Sequence, residues 1–312
     1  MRPARAIDIA VCTFRRDFLK DTLLSVAKID PPPGVAVRVI IADNDVTPSA
    51  HRLVKSLEDT IGFPVTYVHC PASNISIARN ACLEAASGDY LAFVDDDELV
   101  TSDWLTALLE IATRTCAAAV LGPVRAIYRS DAPALIARAD FHSTRPVFVD
   151  GKIRTGYTCN VLIDRNAPSV RGRRFDLNRG RSGGEDTAYF TDIVRAGGTI
   201  EFSERALVLE PVTGERATFS WLARRRFRSG QTHGTLLLTG GASRLATAFL
   251  AAAKFCVCTV GSAVSVMDPV SRSSLMLRAV LHAGVVAGVL GVGQTSLYGR
   301  VPTTGGATSH DV

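Results

Sequence analysis

Apolar and polar positions change period block by block from Ile7 to about Val124. Ile7 to Thr13 is a short apolar run that reads as a buried strand. Asp17 to Ala27 then places Phe18, Leu19, Leu23, Leu24 and Val26 at helical spacing, and Pro31-Pro32-Pro33-Gly34 stops it. Val35 to Ala42 is a second strand that ends in Asp43-Asn44-Asp45. A helix is predicted from about Pro48 to Thr60, with proline at an early helical position. Val65 to His69 is a third strand, and Asn74 to Ala86 a helix with Gly88 as its C-terminal cap. Tyr90 to Val94 is a fourth strand, followed by a helix over Ser102 to Thr115 and a strand over Ala118 to Val124. Repeated β-α-β units predict an α/β fold with a mostly parallel sheet flanked by helices.

Beyond Val124 the pattern is less regular. Gly156 to Ile163 reads as a strand, and an amphipathic helix opens at Glu185-Asp186. The tail is different in kind. Leu245 to Met267 and Leu275 to Val292 are each near the length of a membrane span, about 20 residues. Arg244, Thr247, Lys254, Ser262 and Ser265 fall roughly on one helical face, as do Ser271, Ser274, Arg278 and His282. Such stripes favour helices lying in a membrane interface over clean spans. Gly284-x-x-x-Gly288 is expected to let these two helices pack closely. The competing expectation is a helical subdomain packed on the core. Residues 301–312 read as a flexible tail.

Composition narrows the choices. A chain of 312 residues, 47% hydrophobic and 21% charged, has enough for one large ordered domain and an appendage. The net charge of +5 is modest. Positive charge is local, in Arg171-Gly172-Arg173-Arg174 and Arg224-Arg225-Arg226-Phe227-Arg228. That pattern suits a phosphate-bearing ligand or an anionic membrane surface and speaks against general nucleic-acid binding. Seven cysteines without a Cys-x-x-Cys pair read as reduced thiols of a cytosolic compartment, with no structural zinc. Met1-Arg2-Pro3-Ala4-Arg5 leads straight into the first strand, so no signal peptide is expected.

Candidate chemistry gathers where strands end. Tyr90-Leu91-Ala92-Phe93-Val94 runs directly into Asp95-Asp96-Asp97-Glu98. Open α/β sheets hold ligands at this edge. Four adjacent carboxylates repel one another, so a hard divalent cation with oxygen ligands is the natural partner. Asp95 and Asp97, one residue apart, can turn toward one ion; a solvated acidic loop is the plain alternative. Thr13 and Arg15 follow the first strand, and Asp43 and Asp45 the second, so all should share one rim. There is no Gly-x-Gly-x-x-Gly and no Walker sequence, which leaves nucleotide phosphates to metal and arginine. Arg79, near a helix start, is either such an arginine or a solvated one. Glu185-Asp186 follows Gly183-Gly184 and opens a helix, where acids also serve as plain caps.

Ile9 to Arg16, Ile40 to Asn44, Ala78-Arg79-Asn80 and Asp89 to Glu98 together resemble the family 2 glycosyltransferases of GT-A fold. The nearest resemblance is to bacterial enzymes that extend succinoglycan-type exopolysaccharide repeat units, and it covers roughly residues 5 to 230. It implies a catalytic domain over 1–240, with a nucleotide-sugar half at about 5–124 and an acceptor half at about 125–240. Residues 241–300 would then be the membrane-associating appendage. By the family pattern Thr13 and Asp43 contact the uracil of a UDP-sugar, and Arg79 lies near the base or diphosphate. Arg15 and Asp45 join that nucleotide rim. Asp95 and Asp96 face the ribose and the metal shell, and Asp97 ligates Mg²⁺ or Mn²⁺. Asp186 is the expected general base, with Glu185 beside it.

The resemblance implies inverting transfer of one sugar, with glucose suggested by the exopolysaccharide likeness. The acceptor would be a polyprenyl-diphosphate-linked oligosaccharide at the cytoplasmic face of the bacterial inner membrane. Processive members carry Gln-x-x-Arg-Trp where this chain has Arg224-Arg225-Arg226-Phe227-Arg228-Ser229-Gly230-Gln231, which points to single addition. Two other functions stay open. A nucleotidyltransferase would carry a glycine-rich N-terminal loop, and Cys12-Thr13-Phe14-Arg15-Arg16 has no glycine. A non-catalytic sugar-nucleotide-binding protein would not need Asp186.

Overall fold

The computed structural model describes residues 6–293, so the tail expected at 301–312 lies outside the described residues. The first half runs β1 (Ala6–Thr13), α1 (Leu19–Val26), β2 (Ala36–Asp43), α2 (His51–Ile61), β3 (Val65–His69), α3 (Ile75–Ala85) and β4 (Tyr90–Asp95). Next come β5 (Leu99–Val100), α4 (Trp104–Thr115), β6 (Ala119–Leu121), β7 (Val124–Tyr128) and α5 (Ala134–Ala139). β8 (Phe148–Val149), β9 (Lys152–Ile153), β10 (Asn160–Asp164), α6 (Glu185–Arg195), β11 (Ile200–Phe202) and β12 (Val208–Val212) follow. Three long helices close the described chain: α7 (Phe219–Thr239), α8 (Arg244–Val264) and α9 (Pro269–Val289).

Seven strands form the central sheet, in the order β11-β6-β10-β4-β1-β2-β3. Neighbours are parallel except where β10 meets β4 and β6. The apolar runs of β1 and β4 are buried on both faces, as parallel strands under helices require. Alternation divides them: Ile7, Ile9 and Val11 pack with α1, α2 and α4, while Ala10, Leu91 and Phe93 pack with α3 and α6. Parallel register sets Thr13 beside Asp43 and Cys12 beside Asp95, so the three strand ends are level.

Several expectations need correction. Ala118 to Val124 is not one strand: it breaks at Gly122-Pro123, and β7 joins β12 and β5 in a second sheet. Proline lacks the N–H a ladder needs, and the Asn160 amide donates to the carbonyls of Pro123 (3.0 Å) and Ala206 (2.7 Å) to hold the break. The strand read from Gly156 starts only at Asn160. Gly88 does not cap α3, which ends at Ala86 in extended conformation. A Cβ on Gly88 would lie 2.9 Å from the Ala6 carbonyl oxygen, so close passage beside β1 is what requires glycine there.

The tail departs most. Gly284 and Gly288 pack against α7, not α8: a Cβ on them would meet the carbonyl oxygens of Phe227 and Gln231, at 1.9 and 2.4 Å. Gly230 and Gly234 of α7 face Leu281 and Val285 of α9 in return. Small residues on both sides thus let α7 and α9 pack backbone to backbone. α8 packs on α9 along one side, where Ala251 meets Val285 and Val289, and leaves its other side bare. Leu245, Phe249, Val257 and Val264 are exposed, while Ser262, from the expected polar stripe, is buried and donates to the Arg272 carbonyl oxygen (3.3 Å). Among the described residues α8 is the helix long and apolar enough to cross a membrane.

Candidate active site

The acids of β4 end in a cleft of about 270 Å³ lined by Arg16, Arg79, Asp95, Asp96, Asp97 and Glu98 from the first half and by Thr144, Glu210, Arg216 and Arg225 from the second. Glu98 is buried and accepts from the Asp95 N–H (3.0 Å), which folds the acid run into a tight turn. Asp97 pairs with Arg216 at 3.1 Å and with Arg16 at 3.6 Å. Asp96 reaches Arg16 at 3.4 Å. Asp95 remains partly open to the cleft.

Loss of water, and crowding of like charges, raise several of these acids. Burial pushes the Asp95 carboxyl up to about 7, against the pull of Arg79 and with help from Asp97 and Asp96. Burial also lifts Asp96 to about 6, against Arg16. Glu98 is raised well above the usual carboxylate range by burial and by Asp95.

Two chain segments far apart in sequence meet at Arg79. α3 begins at Asn74, whose side chain accepts from the Ser76 N–H at 3.0 Å and the Ile77 N–H at 3.4 Å, a standard N-terminal cap. The same helix clasps the loop before α6. Asn74 donates to the Leu177 carbonyl (3.0 Å), Ser76 to that of Asp176 (2.8 Å) and Asn80 to that of Phe175 (3.0 Å). The Phe175 N–H donates back to Asn80 (2.8 Å). The loop is thereby held so that α6 starts over Arg79. Gly184 caps α6 at φ 85°, a left-handed conformation, and a Cβ there would lie 2.2 Å from the Thr232 methyl.

Arg79 is buried, which removes the solvated-arginine alternative. It donates to Glu185, lies 3.9 Å from Asp95 and covers the Phe175 ring at 5.7 Å. Burial opposes its charge, but Glu185 and then Asp95 outweigh that and its pKa lies above the ordinary value. Glu185 is buried too, and burial raises its pKa despite Arg79. Asp186 is half-buried, and one oxygen accepts from the Thr187 N–H (2.6 Å) and hydroxyl (3.2 Å). Of the two acids, Asp186 is therefore the one with an accessible carboxylate.

At the end of β2, Asp43 is fully buried and accepts from the N–H groups of Asp45 (3.0 Å) and Ala50 (2.8 Å) and from the Tyr67 hydroxyl (2.6 Å). A carboxylate offers about four lone-pair sites, so most of this one's capacity shapes the Asp-Asn-Asp turn. Asp45 pairs with Arg15 at 2.9 Å. Arg15 has φ 51°, outside the region ordinary residues favour, and this bend sends Arg15 toward Asp45 and Arg16 toward the acid run. The hydroxyl oxygen of Thr13, the carbonyl oxygen of the Asn44 side chain, Nε of Arg79 and one oxygen of Glu185 are buried without a hydrogen-bond partner among the described residues. Each such group costs roughly 1–3 kcal/mol. Thr13 and Asn44 lie at the ends of β1 and β2, and Arg79 and Glu185 on α3 and α6; Thr22, Thr158 and Tyr189 are orphaned in the same way elsewhere among the described residues.

Sequence reasoning missed one side of the cleft. Arg216 joins Asp97 to Glu210 (2.7 Å) and lies 5.1 Å over the Trp221 ring. His142 stacks on Trp221 at 5.4 Å, and its Nε2 lies 2.9 Å from the Arg216 carbonyl oxygen. Burial holds the His142 pKa below its ordinary value. These residues stand outside any motif; the lone tryptophan before the arginine run was the available signal.

No three His, Cys, Asp or Glu among the described residues form a ready-made metal cage. The donor set nonetheless fits a hard divalent ion. Magnesium is commonly held by one or two carboxylates, with substrate phosphates and water completing its shell. Asp95 and Asp97 would supply those carboxylates from the lining of the cleft.

Residues 8–169 match the model of glycosyl transferase family 2. The chain is 54% identical over 300 residues to the succinoglycan biosynthesis protein ExoM of Rhizobium meliloti (strain 1021), covering 96% of this chain and 97% of that protein. Among solved structures it is similar to the mannosyltransferase PcManGT from Pyrobaculum calidifontis in complex with GDP-Man and Mn²⁺, with a TM-score of 0.63 and 18% identity over 94% of this chain and 89% of that one. GalNAc-T7 with UDP, GalNAc and Mn²⁺ gives a TM-score of 0.55 at 13% identity, over 74% of this chain and 51% of that one. Both likenesses are at the level of fold.

Proposed function

The chain belongs to glycosyl transferase family 2, a glycosyltransferase of succinoglycan-type exopolysaccharide biosynthesis, and from that membership we propose that it adds one sugar from a UDP-sugar to a lipid-linked oligosaccharide with inversion. The observation that carries this reading is the Arg79 bridge. One buried guanidinium ties the acid cluster to the helix that bears Asp186, which supports a reading in which donor and acceptor chemistry act side by side. A sugar-nucleotide-binding protein has no use for that pairing, and the absence of a glycine-rich loop speaks against a nucleotidyltransferase.

Thr13, Arg15, Asp43 and Asp45 form the base and ribose side of the nucleotide, with Asp95 and Asp96 next to it. Asp97 and Asp95 would hold Mg²⁺ or Mn²⁺, which when bound offsets charge on the departing diphosphate. The Mn²⁺ in two structures of like fold supports that choice. Arg16 and Arg216, already on the acids, stand ready to meet the same phosphates. Asp186 accepts the proton of the acceptor hydroxyl as its oxygen attacks the anomeric carbon. Glu185, buried against Arg79, fixes the start of α6 and does not take that proton. With one carboxylate opposite the leaving group, a single displacement inverts the centre. Binding and orienting the acceptor in the cleft lowers the barrier further.

The exposed apolar face of α8 supports docking on the cytoplasmic face of the inner membrane, where a prenyl-linked acceptor resides. The test is nucleotide release by the full chain, with Mg²⁺ or Mn²⁺, from a panel of UDP- and GDP-sugars and a lipid-linked acceptor extract. Acceptor-dependent UDP release with UDP-glucose among the substrates is expected. Preference for GDP-mannose would overturn the uracil assignment, and release without any transferred sugar would overturn the transferase reading.

A further inference from the structure

Two cavities lead away from the acid cleft toward the helical tail. The first, about 470 Å³, shares Thr144 and Arg225 with the cleft and is also lined by Ser143, Arg145, Arg226 and Ser229. The second, about 240 Å³, shares Phe141 and Arg226 with the first and lies against Ser274, Leu277 and Arg278 of α9. No residue of the nucleotide half lines either one. Arg226 is half-buried, and among the described residues no salt bridge holds Arg225, Arg226 or Arg278. Asp140 also lines the larger cavity, but one of its oxygens is occupied by the hydroxyls of Ser143 (2.7 Å) and Tyr128 (3.4 Å). Arg145 is already paired with Glu204 at 2.8 Å.

A half-buried guanidinium facing a second one across a small cavity, without a carboxylate between them, is a site for an anion with several oxygens. Two phosphates carry the matching charge. The order of surfaces identifies which phosphates. The acid cleft lies at one end, the arginine cavity in the middle, and α9, on which the exposed apolar α8 packs, at the other. A prenyl-diphosphate-linked oligosaccharide has the same order: sugar, diphosphate, hydrocarbon. We propose that Arg226 and Arg278 bind the diphosphate of the lipid-linked acceptor, with the larger cavity taking the sugars that lead to Asp186. This rests on the reading of the acceptor as a prenyl diphosphate. Arg226 is held below its ordinary pKa by burial and by Arg225 and Arg278, which fits a cation lacking its counter-ion.

The experiment uses the full chain in detergent with Mn²⁺ and saturating UDP, which together fill the acid cleft, and titrates farnesyl diphosphate and farnesol. Farnesyl diphosphate should bind and farnesol bind more weakly. Arg226→Gln and Arg278→Gln should each weaken farnesyl diphosphate at least about tenfold while UDP affinity in the presence of Mn²⁺ stays put. Arg278 is exposed, so its replacement tests the site even if Arg226→Gln disturbs folding. Unchanged farnesyl diphosphate affinity in Arg278→Gln would overturn the inference. So would a parallel fall in UDP affinity, which would make this a donor-phosphate site. Loss of binding only to phosphatidylglycerol vesicles would overturn it in favour of a headgroup contact. If the arginines do bind farnesyl diphosphate but the wild type transfers no sugar to any prenyl-diphosphate acceptor, the diphosphate site stands and the acceptor reading falls.

Discussion

Arg79 of α3 and Glu185 of α6, 106 residues apart in sequence, form a buried ion pair at the floor of the cleft. Removing one partner of a buried pair strands the other's charge, at a cost of about 3–5 kcal/mol. Arg79→Met should therefore destabilise the fold by about that amount. The paired change Arg79→Met with Glu185→Leu should recover much of the stability and none of the transfer activity. Denaturant melts of the three proteins check this, and full stability in the single variant would show the pair to be unimportant.

Asp186→Asn should retain binding of UDP and Mn²⁺ and lose transfer by about 10²–10⁴-fold, the range that general-base catalysis supplies. Asp97→Ala should instead lose metal-dependent UDP binding. Calorimetry and a nucleotide-release assay separate the two outcomes. Near-wild-type turnover in Asp186→Asn would remove the base assignment.

Asp43→Ala should do more than weaken UDP binding. It strips acceptors from two backbone N–H groups and the Tyr67 hydroxyl. A buried group left unpaired costs about 1–3 kcal/mol, so the variant should unfold measurably earlier even without nucleotide. A variant that melts like wild type but fails to bind UDP would show the carboxylate to serve the base alone.

Glu98→Gln gives a pH signature. Glu98 is raised well above 4.5 by burial and Asp95, so the folded state favours its protonated form. That contribution is fully present below pH 4.5 and is lost as pH rises through the folded value. Glutamine copies the protonated form at every pH. The metal-free variant should thus match wild type in acid and melt higher at pH near 8. Thermal melts across that range test it, and identical curves at both ends would contradict it.

On α8, replacing Phe249, Leu250 and Val257 together with serine should leave the fold intact, since all three are exposed. Burial of each such side chain in lipid is worth roughly 1.5–3 kcal/mol, so partition onto anionic vesicles should fall by well over tenfold. Unchanged partition in a sedimentation assay would remove α8 as the docking face. Gly284→Val has the opposite signature, because its Cβ would press on the Phe227 carbonyl. It should cost about 1–3 kcal/mol or more of stability without altering the surface.

The sequence by itself determined the sheet and its rim. Short continuous apolar runs at Ile7, Val35 and Tyr90, bounded by turn residues, read as strands buried on both faces, and parallel pairing then puts Thr13, Asp43 and Asp95 at one edge. The acid run and the family likeness came from the same local signal. What tertiary structure alone decided is everything set by distant contact. Asn74 and Asn80 look like ordinary helix residues until they clasp the loop at Phe175–Leu177 and carry Glu185 to Arg79. Arg216 has no local pattern that announces a cleft, because cation pairing to Asp97 depends on where β12 and α7 pack. The glycines of the tail were visible, but spacing alone names no partner. Backbone fit assigned Gly284 and Gly288 to α7 and left the apolar side of α8 outward, since a helix face is buried only when a surface of matching shape is there to meet it.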